Sequence, residues 1–312
     1  MKLIKINGNV IENTNYPNGE IKLNTKSIVD FIYDSRMISS NSENKNIISF
    51  YPYNPNDILE LVFTTNYIKQ CYNNIFSEFI LDIKYLPYSR MDRIKNLKND
   101  VFSLKYYCDI INNLGYSKIQ VEDCHSDVGV ALLNNSINVN SFMYKFKNTY
   151  LNVYDESLLK GDFYIDAERL NIHEIMQKHT YIVYPDTTAI KRYSEMFKEY
   201  KKIISFKNRN WETGKIESIE VINSNKESIT KNSIACIVDD ICSYGGTFIG
   251  VSEKLREMGF GTIVLAVTHC ENSIFSGNIF NENSYINYVI TSNSILNPKN
   301  VECLNKLTIM EI

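Results

Sequence analysis

Residues 234–247 read Ile-Ala-Cys-Ile-Val-Asp-Asp-Ile-Cys-Ser-Tyr-Gly-Gly-Thr, and this stretch decides the fold. Ile234 to Val238 is a β-branched apolar run of the length of one buried strand. Asp239 and Asp240 follow, then a short loop closing on Gly245-Gly246-Thr247. Phe248, Val251, Leu255 and Met258 recur at helical spacing, and Gly259 is placed to end that helix. Strand, acidic pair, glycine turn and helix start therefore come in order. Such a turn points free backbone N–H groups and the positive end of a helix dipole at one spot, which suits a phosphate. The adjacent acids suit sugar hydroxyls or a metal. The bland alternative is an ordinary βα turn with an acidic surface pair. Two acids, two glycines and a Thr in this order weigh against it.

Working outward, 312 residues allow two domains of ordinary size. Apolar residues make up 44%, enough for sizeable cores, and a net charge of −3 gives no pull toward nucleic acid or an anionic membrane. No apolar run approaches the roughly 18 residues of a membrane span. The N-terminus lacks the apolar core of a signal peptide. Seven cysteines without close pairs fit reduced thiols in a cytosol. With four histidines and no Cys-x-x-Cys, a structural zinc site is not expected. Strand-like runs and helical stripes recur along the chain. The pattern restarts around 140–150, giving an expected division into domains 1–145 and 146–312.

Several polar clusters stand at the ends of expected strands. Residues 1–8 read as an edge strand. Tyr16-Pro17-Asn18-Gly19-Glu20 carries a turn signal, and Ile21 and Leu23 alternate as in a hairpin. Residues 47–51 read as a strand. Asn56 and Asp57 are placed to cap a helix with Leu59, Val62 and Phe63 on its apolar side. The strand Phe79–Leu86 runs into Pro87-Tyr88-Ser89-Arg90-Met91-Asp92-Arg93. Arginine is the preferred partner for a polyphosphate because its planar fork grips two oxygens. Val101, Leu104, Cys108 and Ile111 form a helical stripe ended by Gly115. The strand Lys118–Glu122 is followed by Asp123-Cys124-His125. Thr180–Tyr184 runs into Pro185-Asp186-Thr187-Thr188-Ala189-Ile190-Lys191-Arg192. Ile203–Phe206 ends in Lys207-Asn208-Arg209, ahead of a polar stretch containing Trp211, read as a loop or a lysine-rich hairpin tip. Thr262–Thr268 precedes His269, and further strands are expected at Tyr288–Thr291 and Leu307–Ile312.

Residues 234–247 resemble the phosphoribosyl-diphosphate loop of type I phosphoribosyltransferases and of ribose-phosphate diphosphokinases. The remaining clusters resemble the second family, in the correct order over nearly the whole chain. Its Pro-Tyr-Ala-Arg-Gln-Asp-Arg motif is matched at five of seven positions, with Met91 for Gln and Ser89 for Ala. A simple phosphoribosyltransferase would leave Arg90, Arg93 and His125 without a role. The resemblance implies two phosphoribosyltransferase-like domains, each a mainly parallel sheet flanked by helices, with ATP on the N-terminal side and the sugar phosphate on the C-terminal side. It implies ATP-binding roles for Tyr16, Asn18, Glu20, Arg90, Asp92, Arg93 and His125. The Tyr16–Glu20 stretch would complete a neighbouring subunit's site, so a homo-oligomer is implied, a dimer at least and often a hexamer. Magnesium would be held with His125 and Asp186. Lys207 and Arg209 would open a mobile catalytic loop. Asp239, Asp240, Ser243, Tyr244, Gly245, Gly246 and Thr247 would bind the sugar phosphate.

The implied reaction moves the β,γ-diphosphoryl group of MgATP to the anomeric hydroxyl of ribose 5-phosphate. Departures bear on the acceptor. The family's loop reads Asp-Asp-x-x-Asp-Thr-x-Gly-Thr, and here Ser243 and Tyr244 replace the third acid and first Thr. The family's Asp-x-Gly is Asp186-Thr187-Thr188, and its Thr-His-Gly-x-Phe-Ser-Gly is three residues longer here, between Thr268 and Gly277. Tyr244 would suit a larger acceptor such as ADP-ribose, as in phage-encoded relatives linked to NAD rebuilding. Some family members are non-catalytic regulatory partners and are expected to lack Lys207, Arg209, His125 or Asp186, all present here.

Overall fold

The computed structural model describes residues 3–38, 45–72, 78–94, 100–151, 180–209, 216–223, 229–296 and 305–312, with backbone alone at 34–38, 207–209 and 216–219. It divides into two compact units, Met1–Asn140 and Ser141–Ile312.

In the first unit, a six-stranded sheet runs β2-β1-β5-β6-β7-β8. β1 (Ile4–Ile6) pairs antiparallel with both β2 (Asn9–Ile11) and β5 (Lys45–Phe50). The expected edge strand is thus interior, and β2 forms the edge. β5, β6 (Glu78–Ile83), β7 (Lys118–Glu122) and β8 (Ser136–Val139) are parallel. Helices α1 (Thr25–Ile38), α2 (Ile58–Tyr72), α3 (Ser103–Asn113) and α4 (Asp127–Leu132) lie between them in the chain. The separate hairpin β3 (Thr14–Asn15) and β4 (Ile21–Lys22) turns at Gly19, whose φ of 90° suits glycine.

Two expectations fail at α2. The cap is Asn54, not Asn56 or Asp57: Asn54 and Asp57 form a capping box around a 3-10 turn with Pro55 at its start. The buried face is Ile58, Leu61, Thr64, Thr65 and Ile68, while Leu59 and Phe63 are exposed. In α3, Leu104, Cys108 and Ile111 are buried as expected, but Val101 lies outside the helix and is exposed.

The second unit holds a seven-stranded sheet, β11-β10-β9-β12-β13-β14-β15. Its strands are β9 (Thr180–Tyr184), β10 (Lys201–Arg209), β11 (Ile216–Asn223), β12 (Ile234–Cys242), β13 (Thr262–Cys270), β14 (Tyr288–Ser292) and β15 (Leu307–Met310). All pairs are parallel except β10–β11. Both faces are covered, so the central strands are apolar throughout. On one face Ala235 and Ile237 pack with Phe248, Val251 and Leu255 of α7 (Gly246–Glu257). On the other, Cys236 and Val238 pack with Ala189 and Tyr193 of α6 (Thr187–Tyr193) and with Phe142, Met143 and Phe146 of α5 (Ser141–Phe146). Burying each large apolar side chain contributes about 1.5–3 kcal/mol. That explains why Ile234–Val238 sits at the centre of the sheet. Among the described residues, no helix is long and apolar enough to cross a membrane.

Candidate active site

β9 and β12 are neighbours, yet the chain leaves them in opposite directions across the sheet. From β9 it proceeds through α6 to β10; from β12 it proceeds through α7 to β13. This is a topological switch point, and ligands of open α/β sheets bind outside the carboxyl ends of strands there. Two acidic positions meet at this place. Asp186 ends β9 and caps α6, its Oδ1 accepting from the Thr188 and Ala189 amides at 3.0 Å. Thr188, where the family has glycine, sits in the first turn with its amide used by that cap. The extra bulk is accommodated as ordinary helix.

The acids of β12 do not act as a pair. The strand runs past Val238 to Cys242, because the parallel ladder with β13 continues to Cys270. Successive side chains on a strand face opposite ways. Asp240 continues the face of Cys236 and Val238, where α6 packs. It is buried there, and Arg192 Nη1 lies 3.6 Å from its Oδ2. Asp239 is half-buried, its Oδ1 accepting from the Asp240 amide at 3.0 Å. The sequence reading gave both acids the same task. It passed over Arg192, whose only signal was a place in the Lys191-Arg192 pair.

Beyond Cys242 the chain turns sharply. Gly245 stands before α7 with φ of 81°, and its carbonyl accepts from Ile249 N. The first amides of α7 have no partner within the helix itself, so the helix start offers donors and a positive dipole end to an anion. Tyr244 is 63% exposed beside it. Ser243 Oγ donates to Glu271 Oε2. Burial, a hydrogen bond to Cys270 and nearby Glu271 hold the Cys242 thiol well above the usual thiol range, with the Cys270 contact the largest influence. That thiol is therefore protonated and a poor nucleophile. His269 is buried and bonded through Nδ1 to Ser294 Oγ at 2.9 Å, so it braces the ends of β13 and β14.

Lys207 and Arg209 lie on β10, paired with Ile219 and Ile216 across the ladder, not in an open loop. A register shift falls between Asn208 and Arg209. Residues 210–215, with Trp211, lie outside the described residues.

In the first unit, β6 and β7 are parallel neighbours; Arg90, Asp92 and Arg93 follow the carboxyl end of β6, and His125 that of β7. Arg90 and Arg93 are exposed, and Arg93 Nε lies 3.4 Å from Asp92 Oδ1. His125 is half-buried. Tyr88 and Asp123 have φ of 62° and 40°, an uncommon conformation that tends to gather at functional segments. Ser89, where the family has Ala, is buried with its hydroxyl unpartnered among the described residues, and nothing in the structure explains it. Tyr16 is half-exposed on its hairpin, and Lys22 Nζ lies 5.8 Å from its ring centroid. Asn18 Oδ1 accepts from the Glu20 amide at 3.1 Å, and both residues are exposed. A cleft of about 790 Å³ opens elsewhere in this unit, between Glu12, Asn13, Asn24, Asp57 and Glu60, and none of the predicted ligand residues lines it. Burial raises the carboxyl pKa of Asp57 and of Glu60 there.

With this geometry in hand, known proteins can be compared. The ribose-phosphate pyrophosphokinase of Mycoplasmopsis pulmonis is 25% identical over 314 aligned residues, spanning 99% of this chain and 84% of that protein. Proteins of the same name from Mycoplasma pneumoniae and Sulfurisphaera tokodaii are 24% and 22% identical, over 71% and 82% of this chain and 60% and 78% of theirs. The chain is thus similar, at low identity and over most of its length, to proteins named ribose-phosphate pyrophosphokinase. No family model matches it, which fits the low identities. In fold, it superposes on the phosphoribosylpyrophosphate synthetase of Mycobacterium smegmatis with a TM-score of 0.62 and 15% identity, covering 97% of this chain and 86% of that one. The α/β expectation of sheets flanked by helices therefore holds.

Proposed function

We propose that this chain transfers the diphosphoryl group of MgATP to the anomeric hydroxyl of a ribose 5-phosphate-type acceptor, releasing AMP and a sugar 1-diphosphate. The observation that carries this is the Gly245–Thr247 turn. It heads a 12-residue helix at the switch point, beside Asp239, in a chain that aligns over 99% of its length with one ribose-phosphate pyrophosphokinase. The anomeric oxygen attacks the β-phosphorus in line, the bond from that phosphorus to the α-phosphate bridging oxygen breaks, and AMP leaves. Positioning and charge stabilisation then supply most of the catalysis.

In this reading the first unit holds ATP and the second holds the sugar. Thr247 and the Gly245–Thr247 amides take the 5-phosphate, and Asp239 takes ribose hydroxyls. Asp240, engaged by Arg192, serves as a positioning residue. Arg90 and Arg93 grip phosphates, and Asp92 orients Arg93. Tyr16, Asn18 and Glu20 receive the adenine of a neighbouring subunit's ATP, so the working form is at least a dimer, in a cytosol. Lys207 and Arg209 neutralise charge on the transferring group. For magnesium, Asp186 of the second unit would offer a hard carboxylate and His125 of the first a half-buried imidazole, each beside the phosphate oxygens of its own unit's ligand. When bound, that ion neutralises phosphate charge.

A second acceptor, ADP-ribose, is favoured by the exposed Tyr244, whose ring offers a stacking face beside the phosphate turn. The deciding measurement is AMP release from MgATP with each acceptor in turn. Release is expected with at least one; inertness with both sinks the enzyme reading. Lys207→Ala should lower turnover about 10²–10³-fold while leaving nucleotide binding in place, the usual loss for a group stabilising transition-state charge. A non-catalytic regulatory partner would be indifferent to that change.

A further inference from the structure

We propose that Glu271 is an acceptor-binding residue, its carboxylate taking ribose hydroxyls at the mouth of the phosphate turn. This rests on the function proposed above. Glu271 follows the end of β13, and its amide donates to the Cys242 carbonyl at 2.9 Å, extending the ladder one bond past the strand. That fixes its backbone beside Ser243. Its Oε2 accepts from Ser243 Oγ at 2.5 Å and from Ser273 Oγ at 3.3 Å. A carboxylate therefore stands at the position where the turn itself carries only a hydroxyl.

The segment holding Glu271 is clamped to the turn. A Cβ on Gly277 would lie 2.0 Å from the Tyr244 carbonyl oxygen, and one on Gly245 would lie 2.1 Å from Ile279 Cδ1. Residues 271–279 and 243–246 thus pack closely, which holds the acid in register with the helix start. The charges also point this way. Arg192 engages Asp240, which faces α6. A sugar diol needs acceptors, and carboxylates are acceptors with several lone pairs each. Glu271 is a carboxylate near the turn that is bonded to it, through Ser243.

A purely structural Glu271 would tolerate glutamine, whose carbonyl can still accept from Ser243. A binding role would not. The test compares the unmodified chain, Glu271→Gln and the double variant Ser243→Asp/Glu271→Gln, using ribose 5-phosphate and ADP-ribose as acceptors. The acceptor KM and calorimetric Kd are expected to rise about 5- to 10-fold in Glu271→Gln, as when a charge-assisted hydrogen bond becomes a neutral one, with the KM for MgATP within twofold. The double variant, which returns a carboxylate to the turn, should recover most of the loss. A Glu271→Gln acceptor KM within twofold of the unmodified chain overturns the inference, as does a loss that Ser243→Asp does not relieve. Failure of the unmodified chain to bind or use either acceptor overturns the functional reading itself.

Discussion

Arg192→Ala is expected to lower the stability of the second unit by about 3–5 kcal/mol, the range for breaking a buried ion pair by removing one partner. The pair is buried on both sides, with side chains 11% and 6% exposed for Arg192 and Asp240. At Asp240 the strand is held by β13, its pairing with β9 having ended at Ile237, and the Asp240 side chain is buried. Its carboxylate would stay among Val238, Ala189 and Tyr193 without the guanidinium that faces it. Asp240→Asn in the Arg192→Ala background removes the stranded charge, and should recover a substantial part of the loss. Urea unfolding of the single and double variants measures this. If the double variant is no more stable than Arg192→Ala alone, Arg192 acts by packing, through its stem and its contact over the Tyr193 ring.

Local sequence reached some elements and not others, for identifiable reasons. β7 and β9 have the ends expected of them: β7 alternates apolar Ile119 and Val121 with polar residues, and β9 is a short, mostly apolar run closed by Pro185-Asp186. The phase of α2 was not legible: Ile58-Leu59-Glu60-Leu61-Val62-Phe63 is apolar nearly all round, so two stripes compete. The winning stripe includes Thr64 and Thr65, which no hydrophobic pattern selects. Thr65 is buried because Tyr116 hydrogen-bonds to its hydroxyl across 51 residues. The extension of β12 over its acids is likewise set by pairing with β13, and backbone ladders leave no local trace. Resemblance to the family's Lys-x-Arg puts Lys207 and Arg209 at the start of a loop, whereas the antiparallel partner β11 keeps their backbone in strand. The glycine turn was legible because a left-handed residue before a helix leaves few choices of side chain. The partners of that turn, Glu271 and Ile279, were not, since both reach it from the end of a neighbouring strand.

The two adjacent glycines of the turn should respond very differently to alanine. Gly245→Ala is expected to cost about 2–5 kcal/mol. About 1–2 of this comes from placing a Cβ in left-handed backbone, and about 1–3 from overpacking. The φ of 81° supplies the first term, and Ile279 Cδ1 and Cγ1, at 2.1 and 2.5 Å from the new atom, supply the second. Ile279 is fully buried and cannot swing into solvent. At Gly246 an added Cβ meets nothing within 4 Å, and that residue already opens the helix. Gly246→Ala should therefore leave stability within about 1 kcal/mol, with any change toward greater stability from the better helix former. The two terms at Gly245 separate in a double-mutant cycle with Ile279→Ala. Trimming Ile279 removes the clash but not the backbone strain, so the double variant should fall short of additive loss by about 1–3 kcal/mol. Strict additivity would mean that Ile279 does not hold the turn. The acceptor KM should rise in Gly245→Ala in step with the displaced amides, because the Gly245 carbonyl anchors the first turn through Ile249 N at 3.0 Å. A stability loss with an unchanged acceptor KM would mean that the phosphate is held elsewhere.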